Sequence, residues 1–256
     1  MRAGNSINTY QIDFGKTIFC IFIILMLSLP TFAQVSKVGE IARSNKGGSS
    51  KIDGTGTAVF LFFEFFDDFI WLFGHGQQRV LQRRDAEPWL VSLEAGMHAA
   101  YYSRETATVT IPSIKANWGI LSTHARWNRM QDFTGSFRTF DWQIFQLYLV
   151  NQPNIGFRLG SGLSHEIDID HTLPEYTFGL EFHFEERKFN PLFEIRWSQD
   201  YDTGQIPRLE FGSRFDYKMF TSGKFNVLLS AGYTYQRYYS EVSFHFLQTG
   251  LNIAFY

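Results

Sequence analysis

The sequence holds a single cysteine, Cys20, so neither an intramolecular disulfide nor a cysteine-based zinc cage can form. Charge is scarce and nearly balanced: 19% of residues are charged and the formal net charge is −2. That excludes a disordered polyelectrolyte and a strongly basic nucleic-acid binder. Long apolar runs are wanting too. The run at 18–29 (IFCIFIILMLSL) is shorter than the roughly 20 residues that a bilayer-spanning helix needs. What abounds is aromatic. The 256 residues include 28 Phe, 12 Tyr and 6 Trp, or 18% of the chain, a load that must enter a core or face lipid.

Arg2 and Lys16 precede the 18–29 run, and Pro30-Thr31-Phe32-Ala33 follows it. A basic lead, a short apolar stretch and a small residue at the exit read as a secretory signal peptide over 1–33, cleaved after Ala33. The competing reading is an uncleaved anchor. Residues 34–57 are rich in Gly, Ser and Lys and show no obvious period, so a flexible leader is expected there. Residues 58–73 (AVFLFFEFFDDFIWLF) are the most apolar stretch after the signal and, with a polar connector, make up one segment running to 87. Glu64, Asp67 and Asp68 share one helical arc, which favours an amphipathic helix. A strand reading stays open, and 75–85 reads as a solvated connector.

From 88 to 256 apolar residues recur at every second position, the period of a β-strand. Tyr176, Phe178, Leu180, Phe182 and Phe184 alternate with Thr177, Gly179, Glu181 and His183, and Leu209, Phe211, Phe215 and Tyr217 alternate with Glu210, Gly212, Arg214 and Asp216. Ile155–Leu163, Phe225–Tyr235 and Trp89–Met97 repeat the pattern. The runs match the 9–11 residues of a tilted transmembrane strand, and Phe182 is expected at mid-bilayer depth. Short and long polar links alternate, with the long ones at 128–138, 165–175 and 199–206. Gly, Ser and Thr fill much of the other face, as a narrow barrel interior requires. Aromatics near strand ends (Trp142 with Tyr148, Trp197 with Tyr201, Tyr235 with Tyr238 and Tyr239) read as an interfacial girdle. The expected fold is therefore all-β, a transmembrane antiparallel up-and-down barrel of eight to ten strands. Eight strands are counted between 114 and 256, with 58–73 the available partner for the 89–102 run. A soluble β-sandwich is the alternative.

The chain closes LQTGLNIAFY, with Leu247, Thr249, Leu251, Ile253 and Phe255 in one phase. This resembles the terminal strand of the outer-membrane β-barrel proteins of Gram-negative bacteria, in particular the small barrels. The resemblance implies an outer-membrane location, with lipids and the barrel-assembly machinery as partners. It also implies a sorting signal on Leu251, Ile253 and Phe255. Tyr256 departs from the family pattern: taken as the terminal aromatic, it would turn Asn252 toward lipid.

The inward phase carries Arg158, Glu181, His183, Glu185, Glu194, Arg196, Arg208, Glu210, Arg214, Asp216 and Lys218. Buried charges must pair, so their near balance predicts an ion-paired, closed lumen, against a narrow channel as the alternative. His165, Glu166, Asp168, Asp170 and His171 supply oxygen and imidazole ligand types for a divalent cation, but an exposed acidic turn is the expected reading and no metal is expected. Ser164 with His165, or Ser243 with His245, supply residue types for a lipid-modifying enzyme, a third reading. No cofactor and no nucleic-acid partner is expected, and no loop partner is specified.

Overall fold

The computed structural model describes residues 35–46, 66–102 and 107–256, and side chains over 35–44, 74–102 and 107–256. The signal peptide expected over 1–33 and residues 58–65 lie outside them. Ten antiparallel strands close a ring in which each pairs with its chain neighbour and β1 pairs with β10. They are β1 (Val91–Tyr102), β2 (Ala107–Trp118), β3 (Leu121–Gln131), β4 (Ser136–Asn151), β5 (Ile155–Glu166), β6 (His171–Phe182), β7 (Phe189–Ser198), β8 (Arg208–Ser222), β9 (Phe225–Tyr238) and β10 (Val242–Phe255). Two helices accompany them among the described residues, α1 (Val35–Lys46) and α2 (Phe66–Leu81). No described helix is long and apolar enough to cross a bilayer.

The partner of β1 is β2, so 58–73 is not needed to make the count even. The sequence reading misses a full strand because β2 and β3 are joined by Gly119-Ile120 alone. Gly119 takes φ +64°, the left-handed conformation that so tight a link requires. Gly223 does the same at φ +58° between β8 and β9. The links at one end, 119–120, 152–154, 183–188 and 223–224, define the turn end. Those at 103–106, 132–135, 167–170, 199–207 and 239–241 define the loop end. The strands run further than expected, and the long links at 128–138 and 165–175 shrink to 132–135 and 167–170.

The outward phases hold. Tyr176, Phe178 and Leu180 face out while Glu175, Thr177 and Gly179 are buried, and β8 and β10 alternate likewise. Phe182 is the last residue of β6, and Phe178 takes the mid-strand place. Tyr148, Tyr238 and Tyr239 are buried, 9% exposed or less, and leave the expected girdle, whereas Trp142 stays on the outer face. In β4 the cause is a bulge between Trp142 and Phe145, which turns Gln146 and Tyr148 inward.

The leader expected over 34–57 is helical at its start. Val35, Val38 and Ala42 follow one helix face at successive turns, two turns in all, and are fully buried. They share an apolar cluster with Tyr102, Val109, Met130, Phe137, Tyr238, Phe244 and Phe246, the inward residues of the loop end. Asp132 of the β3–β4 link accepts from the Val35 N–H at 3.0 Å and from the Thr134 and Gly135 N–H groups at 2.7 and 2.9 Å. Burial works to raise the Asp132 pKa, but these donors and the Thr134 hydroxyl outweigh it and hold it below the ordinary value. At the turn end, α2 extends through most of the expected connector 75–85. Gln77 Nε2 donates to Trp118 O at 2.8 Å, and Gln77 Oε1 accepts from Ile120 N–H at 2.8 Å.

Candidate functional site

The barrel interior is the candidate site. Its loop-end half is apolar: Phe244 stacks on Phe246 at 5.5 Å, and Phe137 meets Tyr238 edge-on at 5.7 Å. Tyr239, in the link above, donates to Glu166 at 2.8 Å. Burial, and then the Glu166 charge, raises that phenol above its ordinary pKa.

Below this layer the interior turns ionic. Arg126 spans the lumen from β3 to β8. Its Nε reaches Asp141 at 2.8 Å, and Nη1 and Nη2 form a fork on Glu210 at 2.6 and 2.8 Å. Asp141 also accepts from Asn128 at 2.6 Å and Ser164 at 2.8 Å, and it pairs with Arg208 at 2.9 Å. Arg208 continues to Glu175, which pairs with Arg196 at 3.3 Å. Arg196 meets Glu194 and the His124 ring at 2.7 Å, and Glu194 and Glu181 both meet Arg158. Lys115 at 3.3 Å and the Tyr148 hydroxyl at 3.2 Å close the chain on Glu181. Toward the turn end Arg214 holds Asp216 at 2.9 Å. In the 183–188 link the Arg187 guanidinium lies 4.5 Å over the Trp89 ring. Burial lowers Arg187 to about 10.

The structure thus joins Arg158, Glu181, Glu194, Arg196, Arg208 and Glu210 in one chain of contacts and pairs Arg214 with Asp216. His183 lies beside Glu181 at 3.8 Å and meets Asn190 at 2.9 Å. Glu185 does not join them: β6 ends at Phe182, and Glu185 is exposed in the link with φ 49°. Sequence reasoning misses Lys115, Arg126, Asp141 and Glu175, four of the centres that hold the network together. The signal was there for Asp141, because Phe137, Thr139, Asp141 and Gln143 alternate strictly. Between these side chains remain cavities of about 60 and 80 Å³, the first beside His98, His124 and Arg126, the second beside Lys115, Glu181 and Arg187. Each has room for only a few waters.

The metal candidates part company. His165 turns outward to Thr172 at 2.9 Å, Glu166 turns inward to Tyr239, and Asp168 pairs with Arg138 at 2.7 Å. Asp170 sits in the tight link at φ 52°, and His171 approaches Glu166 at 3.4 Å. Strand alternation separates what the sequence places side by side, and no group of described residues is arranged to hold a metal ion. The hydroxyl–histidine pairs divide similarly. Ser164 donates to Asp141 inside the barrel while His165 faces out. On the outer face Ser243 meets Tyr235 at 3.2 Å and His245 meets Tyr233 at 2.5 Å.

Leu251, Ile253 and Phe255 all face outward and pair with Met97, Ala95 and Leu93 of β1. Asn252 is buried, so the phase runs through Phe255. Tyr256 N–H donates to Lys224 O at 3.0 Å. No protein-family model and no curated protein sequence matches the chain. Solved structures do match it. The N-terminal β-barrel domain of Pseudomonas aeruginosa OprF is 11% identical, with a TM-score of 0.34 over 64% of this chain and 97% of that one. The KdgM porin, in complex with disordered oligogalacturonate, is 7% identical, with a TM-score of 0.34 over 65% and 100%. The outer membrane protease OmpT from Escherichia coli is 10% identical, with a TM-score of 0.31 over 64% and 91%.

Proposed function

We propose that the chain is an outer-membrane barrel of structural or interaction type, with a lumen closed by its own side chains. The observation that carries this reading is an inversion of polarity. Fully buried Arg158, Arg196 and Arg208 fill the inside, while Leu93, Met97, Leu159, Phe193, Leu229 and Leu251 stand outside, each more than 40% exposed. In water so continuous an apolar belt would associate; in hydrocarbon it is at rest. The ring leaves no unpaired strand edge, which lipid demands. Lipids, and the assembly machinery acting on Leu251, Ile253 and Phe255, are the partners this reading names.

Fractionation should recover the protein in the outer membrane, migrating faster in detergent gels before boiling than after. Recovery as a soluble periplasmic monomer would reject the proposal. The closed lumen is tested separately, in planar bilayers. Little steady conductance is expected, because the interior cavities among the described residues hold only about 30, 60 and 80 Å³ and the charges between them are paired. Large, reproducible single-channel steps would favour a small channel instead.

A further inference from the structure

We infer that the groove between α2 and the turn-end edge of the barrel seats an anionic phospholipid, its phosphate on Arg79 and an acyl chain along Ile120, Leu149 and Val150. The inference rests on the membrane reading above and adds a binding site to it. The groove encloses about 580 Å³, several times either lumenal cavity, and lies on the outside of the ring. One wall is the last turn of α2, with Arg79 and Val80, and the turn after it, with Arg83; the other is the β2–β3 link and the end of β4.

The gap follows from how α2 is held. Gln77 grips the β2–β3 link through two hydrogen bonds, and Arg83 Nη2 donates to Asn151 O at 2.7 Å. These polar clamps lie more than one helical turn apart and leave the space between them unfilled. The approach at this clamp is close, and a side chain at Gly119 would meet the Gln77 amide. Leu149 and Val150, 53% and 37% exposed, face outward at the end of β4, where the bilayer gives way to headgroups.

Charge selects the occupant. Arg83 is neutralised by Glu87 at 3.1 Å. Arg79, four residues earlier and in the last turn of α2, is exposed and has no ion pair among the described residues. An apolar wall with Arg79 at its rim, without an ion pair among the described residues and at headgroup depth, fits a molecule with an acyl chain and a negative head. Free phosphate would leave the apolar wall uncovered. The turn end carries the end of β10, the periplasmic side of such barrels, so the lipid belongs to the inner leaflet.

The test uses the full chain reconstituted in phosphatidylcholine vesicles with or without phosphatidylglycerol. Insertion is read by heat-modifiable migration, and retained lipid by native mass spectrometry after mild detergent extraction. Phosphatidylglycerol should be retained over phosphatidylcholine by about fivefold, the worth of one arginine at an anionic surface. Arg79→Glu should abolish that preference, and Arg84→Glu, which does not line the groove, should keep it. Equal retention by Arg79→Glu and the parent protein overturns the inference, as does displacement of the lipid by inorganic phosphate or a dimer mass without lipid. Insertion without preference sinks this site alone; failure to insert in either vesicle sinks the membrane reading itself.

Discussion

Arg208→Met is expected to lower the stability of the folded barrel by about 3–5 kcal/mol, the cost of leaving buried charge without its partner. Arg208 is 2% exposed at its side chain and bridges Asp141 and Glu175, two carboxylates that are themselves fully buried. Asp141 keeps Arg126 and Ser164 after the change, and Glu175 keeps Arg196 and Gln143, so the network is wounded rather than erased. Urea unfolding of the reconstituted protein, followed by tryptophan fluorescence, measures the loss. Arg208→Met combined with Glu175→Met should recover part of it, because the second change removes an orphaned charge. A loss below about 1 kcal/mol would show that water screens these pairs. That would argue for an open lumen.

The second large effect is depth-dependent. Phe178 sits mid-strand on the outer face, between Leu159 of β5 and Ile195 of β7. Phe178→Arg should cost about 2–4 kcal/mol, and Phe225→Arg, at the turn-end start of β9, about 0–1 kcal/mol. Both residues are exposed, at 38% and 54%, so burial against protein does not separate them. Only a slab of hydrocarbon around the ring distinguishes the two positions. Equal costs in unfolding titrations would remove the slab from the account, and with it the outer-membrane assignment.

Much of the ring is legible in the sequence because its strands obey one rule without interruption. β1, β5, β6, β9, β10 and the first part of β8 alternate cleanly, and the inward phase of Arg158, Glu181, Arg208, Glu210, Arg214 and Asp216 is read directly from that alternation. β2 to β4 hide themselves. A two-residue link buries the β2–β3 boundary inside one apparent run, and the β4 bulge reverses parity before Tyr148. Three of the missed network residues, Lys115, Arg126 and Asp141, lie on those strands. Glu175 escapes the pattern for another reason: β6 begins at His171, five residues before its aromatic run. Tyr148, Tyr238 and Tyr239 were assigned by clustering rather than by parity, and the structure turns all three inward. The α1 stripe of Val35, Val38 and Ala42 was visible at helical spacing but drowned in Gly and Ser. What gives it meaning is the apolar mouth it covers, which no local pattern announces.

The seam between β1 and β10 closes the ring. Nine of the ten pairings join strands adjacent in the chain, but the tenth couples Leu93 to Phe255 and Tyr101 to Leu247. That tenth ladder closes the widest chain loop in the ring, a cost in entropy that must be met before its bonds form. Until then two bare edges face the surroundings, and in hydrocarbon each unmatched peptide group costs several kcal/mol. In the proposed membrane setting a partly zipped sheet has no resting place, so insertion and sealing proceed as one cooperative event, with the β1–β10 ladder as its latch.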